Sequence, residues 1–130
     1  MNIPAELKYA TSDEWVRVEG NIAIVGVSDF AQSQLSDIVY FEFKVDPEET
    51  IKKNTVFATM ESVKAAADVN APVSGKVVAI NEALTDDFEK INTDPYGAAW
   101  MIKIEMSDPS ELDALLDAAA YEKSCHERSH

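Results

Sequence analysis

The order of apolar and polar positions divides the chain into short strands with a few helical segments. Glu14-Trp15-Val16-Arg17-Val18 alternates with period two and predicts a strand. Glu19-Gly20-Asn21 is a turn signal, and residues 22–27 predict the returning arm of a hairpin. Ser28 is placed to cap a short helix over 29–35, with Asp29 in the first turn, where the helix dipole favours an anion. Residues 37–43 predict a further strand. Residues 45–54, with Asp46-Pro47-Glu48-Glu49 and Lys52-Lys53-Asn54, read as a polar loop.

Residues 56–80 predict a longer hairpin. Val56-Phe57-Ala58-Thr59-Met60 leads in and residues 68–80 lead out. Between them, Glu61-Ser62-Val63-Lys64-Ala65-Ala66-Ala67-Asp68 sets Lys64 at the tip, with neighbours too small to shield it. Pro72 predicts an edge position or a break in the outgoing arm, and Ser74-Gly75 a tight bend. Residues 81–97 are acidic and rich in turn formers, with a short helix expected at 82–89. Trp100, Ile102, Ile104 and Met106 alternate with Met101, Lys103 and Glu105, a half-buried strand.

The chain then changes character. Asp108, Pro109 and Glu111 have the spacing of a capping box with proline at the first helical position. Leu112, Leu115 and Leu116 fall on one face of that helix. Asp117 is placed to cap a second helix, with Ala120, Tyr121 and Ser124 or Cys125 facing inward. Residues 127–130 are expected to fray. The expectation is a mainly β domain spanning 1–130, with a helical extension at roughly 108–126.

Charge narrows the function. The net charge is −13, from 24 acidic against 11 basic side chains, so nucleic acid and anionic membranes are poor partners. The start lacks both a basic segment and an apolar one, which points to a bacterial cytoplasm, or to a mitochondrial matrix after loss of a presequence. One cysteine, Cys125, allows no internal disulfide and fits a reducing compartment. Its acidic neighbours Glu122 and Glu127 disfavour a reactive thiolate. Cys125, His126 and His130 are a weak metal signal on a terminal segment. There is no Gly-rich phosphate loop and no histidine within residues 1–125. Lys64 is therefore either a solvated turn residue or an acylation site for a swinging prosthetic group.

Glu61-Ser62-Val63-Lys64-Ala65 resembles the lipoylation motif of the glycine cleavage system H-protein family. The resemblance runs from about residue 7 to 121. Glu14-Trp15-Val16, Val25-Gly26-Val27-Ser28-Asp29-Phe30-Ala31-Gln32 and Pro72-Val73-Ser74-Gly75-Lys76-Val77 support it, as do Asp94-Pro95-Tyr96 and Trp100-Met101-Ile102-Lys103-Ile104. It implies a barrel-sandwich hybrid (hammerhead) fold of two antiparallel sheets, with lipoic acid in amide linkage to Lys64. It implies a carrier without catalytic activity of its own. The family takes an aminomethyl group from glycine decarboxylase to aminomethyltransferase, after which dihydrolipoamide dehydrogenase reoxidises the arm. A lipoate-attaching enzyme is a further implied partner. Ser12, Glu14 and Asp68 match groove positions that contact the loaded arm, whose amine needs acceptors.

The chain departs from the family where histidine is usual at Asp13 and glycine at Ser36 and Met60. Asp13 is expected to alter the groove's electrostatics, and Met60 to shift the hairpin backbone. Lys52-Lys53-Asn54 replaces a turn that commonly holds glycine. A lipoyl domain of a 2-oxo acid dehydrogenase usually has Asp directly before the lysine, where Val63 stands, and a biotin carrier has flanking methionines. A related lipoyl relay acting outside glycine cleavage, and an adaptor without cofactor, also stay open.

Overall fold

A computed structural model describes residues 1–128. Two antiparallel sheets enclose the main core. The larger uses β1 (Lys8–Tyr9), β2 (Glu14–Glu19), β3 (Ile22–Val27), β5 (Thr50–Ile51), β8 (Gly75–Ile80) and β9 (Ile102–Met106), in the order β1-β2-β3-β9-β8-β5. The smaller is β4 (Ile38–Phe43), β6 (Val56–Ser62) and β7 (Ala66–Asn70), with β6 central. Val25, Phe41, Phe57, Val69, Val77, Ile102 and Ile104 meet between them. Each such side chain contributes about 1.5–3 kcal/mol on burial. The arrangement is the barrel-sandwich hybrid expected.

The predicted hairpin of β2 and β3 forms in full register, from Glu14 opposite Val27 to Glu19 opposite Ile22. Ser28 caps α1 (Asp29–Leu35) by accepting from the Ala31 amide at 3.2 Å. A second cluster gathers Tyr9, Trp15, Phe30, Tyr121 and Cys125 beneath α1 and α3 (Ala118–Arg128). Tyr9 and Tyr121 stack there with ring centroids 4.5 Å apart.

Several expectations need correction. The loop at 45–54 contains β5, which pairs with β8 through Thr50–Lys76 and Ile51–Gly75. Ile51, apolar amid charge, is buried there. The outgoing arm of the long hairpin is two strands in different sheets. β7 ends at Asn70, the chain crosses through Pro72, and β8 starts at Gly75. Gly75 has φ 155°, and a Cβ on it would lie 2.0 Å from the Glu105 carbonyl oxygen, so only glycine permits this approach to β9. The helix expected at 82–89 is only a 3-10 turn at Glu82–Thr85, and a short α2 follows beyond that span at Lys90–Thr93.

The C-terminal pattern also resolves differently. Asp108 caps a 3-10 helix (Pro109–Ala114) through the Ser110 amide. Glu111 does not close the box. Its carboxylate accepts from the Ser74 amide at 2.7 Å and the Ser74 hydroxyl at 2.9 Å, anchoring the crossover. Leu115 and Leu116 lie past that helix, and Leu116 exchanges backbone hydrogen bonds with Tyr9. Asp117 does cap α3, accepting from the Ala120 amide. Tyr121 and Cys125 are buried, whereas Ala120 is exposed. Glu127 and Arg128 are helical, contrary to fraying, and Arg128 is held by Asp13. Residues 129 and 130 lie outside the described residues. Among the described residues, no helix is long and apolar enough to cross a membrane.

Ser36 ends α1 with φ 64° and ψ −147°. A side chain in that region costs about 1–3 kcal/mol, of which glycine's extra unfolded-state freedom offsets about 0.4–1. Ser36→Gly is therefore expected to stabilise the fold by about 1 kcal/mol in urea denaturation. A lower midpoint would show that the serine's conformation is unstrained.

Candidate functional site

β6 and β7 pair through Met60–Ala67 and Glu61–Ala66, leaving 62–65 to reverse the chain. The Ser62 amide donates to the Ala65 carbonyl at 2.8 Å, and the Ser62 hydroxyl accepts from the Ala65 amide at 3.1 Å. Ser62 is buried and ties the turn from within. Val63 and Lys64 are left standing outward, Val63 with 81% of its surface exposed. Lys64 is exposed as expected, with exposed Ala65 and Ala66 behind it.

Ala67 belongs to a groove of about 200 Å³ between the start of β2, α1 and the hairpin. Its polar lining is Ser12, Asp13, Glu14, Gln34 and Asp68; Ala31, Leu35, Met60 and Ala67 are among its apolar lining. The three sequence-predicted groove residues, Ser12, Glu14 and Asp68, thus line one cavity. Lys64 does not line it, but projects from the same hairpin. The contribution of α1 was not foreseen. Its signal was the apolar pair Ala31 and Leu35 at i, i+4, with no strand assigned to cover them.

Glu14 is the unusual group. It is 1% exposed, yet it lines the groove. One carboxylate oxygen accepts a short hydrogen bond from the Ser12 hydroxyl, and the other accepts from the Asn70 amide at 3.0 Å. Burial pushes its carboxyl up to about 7; the bonds from Ser12 and Asn70 oppose that rise, and the nearby Asp13 charge adds to it. Asp68 stands exposed on β7.

Asp13 adds charge to the groove as expected, but it has partners that the sequence did not show. Its carboxylate turns to α3, where it accepts from both terminal nitrogens of Arg128 (2.6 and 3.1 Å) and from the Tyr121 hydroxyl (2.8 Å). It adds charge beside Glu14, but that charge is paired. Met60 brings no shift to the ladder. It stands in register between Phe41 and Ala67, and its buried side chain lines the groove. Asn54 takes the left-handed conformation (φ 74°) where the family commonly has glycine. Cys125 is buried, and burial pushes its thiol up, which makes it a poor nucleophile. Among the described residues no His, Cys, Asp and Glu cluster is suited to a metal, and His130 lies outside them.

A sandwich hybrid that displays one lysine on a tied hairpin, beside a groove with a buried carboxyl, defines a carrier domain. A family profile described as glycine cleavage H-protein matches residues 7–128. A glycine cleavage system H protein of Symbiobacterium thermophilum is 53% identical over 93% of this chain and 94% of its own. One from Anaeromyxobacter sp. strain K is 48% identical over 98% and 99%. The crystal structure of a Mycobacterium marinum H protein superposes with a TM-score of 0.83, at 31% identity, over 93% of this chain and 97% of that one. The chain belongs to the glycine cleavage H-protein family. Its role is that of a lipoyl-carrying component of the glycine cleavage system, a family of carriers that pass an aminomethyl group between enzymes.

Glu14 also makes stability depend on pH. Its carboxyl titrates near 7 in the fold and near 4.5 in the unfolded chain, so the fold holds the proton more tightly. The stability this provides is complete below pH 4.5 and is lost as pH rises through 7, a change of about 3 kcal/mol. Glu14→Gln keeps an oxygen for the Asn70 amide and gains an N–H for the Ser12 hydroxyl. Urea denaturation is expected to show the variant gaining on the wild type by about 3 kcal/mol between pH 4 and pH 8. A gap that stays constant with pH would mean an ordinary carboxyl.

Proposed function

We propose that Lys64 is the lipoyl attachment point and that Ser12, Glu14 and Asp68 receive the loaded arm. The observation that carries this reading is the exposed Lys64 on a turn whose hydrogen bonds Ser62 provides, beside a groove built around a buried carboxyl. The lysine amine is free for acylation because the turn does not depend on it, and the exposed alanines beside it leave room for an enzyme. Lipoate supplies a dithiol, which the one buried cysteine of this chain does not.

The groove residues supply the rest. A primary amine carried into the groove is cationic at neutral pH and needs acceptors where water is scarce. Glu14 offers a carboxylate already held by Ser12 and Asn70, and Asp68 offers a second in the lining. A cation there favours the ionised form of Glu14 and draws its proton affinity down. Apolar Leu35, Ala31 and Met60 limit hydration on the other sides.

In this reading the whole chain, 1–130, acts as one non-catalytic carrier domain, with 108–126 as its extension. It serves glycine decarboxylase, aminomethyltransferase and dihydrolipoamide dehydrogenase, and it receives its cofactor from a lipoate-attaching enzyme. The compartment in this reading is a bacterial cytoplasm, with a mitochondrial matrix as the alternative.

Intact mass and peptide mapping of protein from its native host are expected to find lipoate on Lys64. Lys64→Arg should lose that mass and all glycine–bicarbonate exchange with the partner enzymes, while stability changes by less than about 0.5 kcal/mol. Biotin, or an unmodified lysine in lipoate-replete cells, would overturn the assignment. Loss of one charge-assisted hydrogen bond is worth a factor of roughly ten or more. Glu14→Gln is accordingly expected to shorten the lifetime of the loaded arm about tenfold; an unchanged lifetime would remove Glu14 from this role.

A further inference from the structure

Three residues on one face of α3, Tyr121, Cys125 and Arg128, follow the i, i+4, i+7 spacing and converge on the groove wall from behind. Tyr121 and Arg128 both reach Asp13, and Arg128 also donates to the Cys125 thiol. The guanidinium of Arg128 grips both carboxylate oxygens of Asp13, and the Tyr121 hydroxyl donates to one of them. Hydroxyl directions there are fixed. Ser28 accepts from the Ala31 amide, and Tyr121 spends its proton on Asp13, so across the 2.5 Å contact between the two hydroxyls Ser28 is the donor. Arg128 also lies over the ring of Phe30 in α1, 4.8 Å from its centroid. One side chain thereby joins α3 to both the Ser12–Glu14 segment and α1, two of the elements that form the groove.

We infer that Arg128 is a positioning residue for the groove: by neutralising Asp13 from α3, it keeps Glu14 ionisable and so able to receive a cationic amine. The inference rests on the groove reading of Glu14 given above. Asp13 precedes Glu14 and shares its cavity, so an unpaired Asp13 carboxylate would be a second negative charge beside a buried one. The groups that bear on Glu14 are the Ser12 hydroxyl, Asp13, the Asn70 amide and Asp68 in the same lining. Those that bear on Asp13 are Glu14, the Tyr121 hydroxyl, the Cys125 thiol and Arg128. Arg128 is the cation among them. Bidentate pairing suits a guanidinium, whereas a lysine ammonium offers only a point charge.

The direct test follows the Glu14 carboxyl by carbon NMR across a pH titration of the protein before lipoylation. Arg128→Gln is expected to move the Glu14 midpoint up by about half a pH unit, and Asp13→Asn to move it down. Arg128→Lys should restore most of the wild-type value. A merely structural clamp predicts no such opposed shifts. If Arg128→Gln releases α3, which loss of the near-ultraviolet signal of the Tyr9–Tyr121 stack would reveal, Asp13→Asn decides. An unmoved Glu14 midpoint in Asp13→Asn overturns the inference. In lipoylated, aminomethyl-loaded protein, the pH at which Arg128→Gln loses arm protection should rise in parallel. A Glu14 that shifts with no matching change in arm lifetime also overturns it. Failure of the carrier reading would appear elsewhere, as an unmodified Lys64 in native protein.

Discussion

One carboxyl side chain holds the two sheets in their working relation. Glu14 begins β2 in the larger sheet, and its side chain accepts from the Asn70 amide, where β7 of the smaller sheet ends. The hairpin that lifts Lys64 is therefore fixed to the opposite sheet at the foot of its returning arm. The same contact places a polar group where an apolar residue would have packed at lower cost. The ionised form is disfavoured by burial and partly recovered by two hydrogen bonds, which leaves the group balanced near neutrality. The structural staple and the proposed binding group are here the same atoms. A substitution at Glu14 therefore changes both functions together, and only the pH dependence tells them apart.

Much of the smaller-scale structure was legible in the sequence. Period-two alternation located β2 and β9, and runs of β-forming residues located β3, β4 and β6. Ser28 and Asp117 were readable as caps, since a side chain that accepts from the first turn acts over three residues. The Glu111 box failed for a reason outside its own segment. Ser74, thirty-seven residues earlier, presents two donors at the crossover and takes the carboxylate. The division of 68–80 into two strands was half visible in Pro72 and Gly75. Which sheet each half joins depends on long-range pairing with β6 and β9.

The candidate site shows the same limit. The exposure of Lys64 at a hairpin tip was readable because it needs only a turn and small neighbours, whereas its choice as an attachment point came from the resemblance. Ser12, Glu14 and Asp68 were assigned by resemblance alone, and the fold supplied the cavity that unites them. The role of Asp13 was not legible. Its partners lie 108 and 115 residues away, on a helix whose end was expected to fray. A charge next to a functional carboxylate reads as an electrostatic perturbation until its counter-ion is located.

The order β4-β6-β7 has a colloidal consequence. Its two outer strands, of six and five residues, are open edges, whereas the larger sheet ends in strands of two residues each. Open edges invite pairing between copies. The edge strand β4 also carries exposed Val39 and Tyr40, beside the hairpin tip where Val63 protrudes. A carrier cannot cover these surfaces permanently, because its hairpin must stay approachable. A net charge of −13 opposes such pairing through repulsion between like molecules. Like-charge repulsion of this kind weakens as salt screens it, so association of copies through these edges would grow with ionic strength.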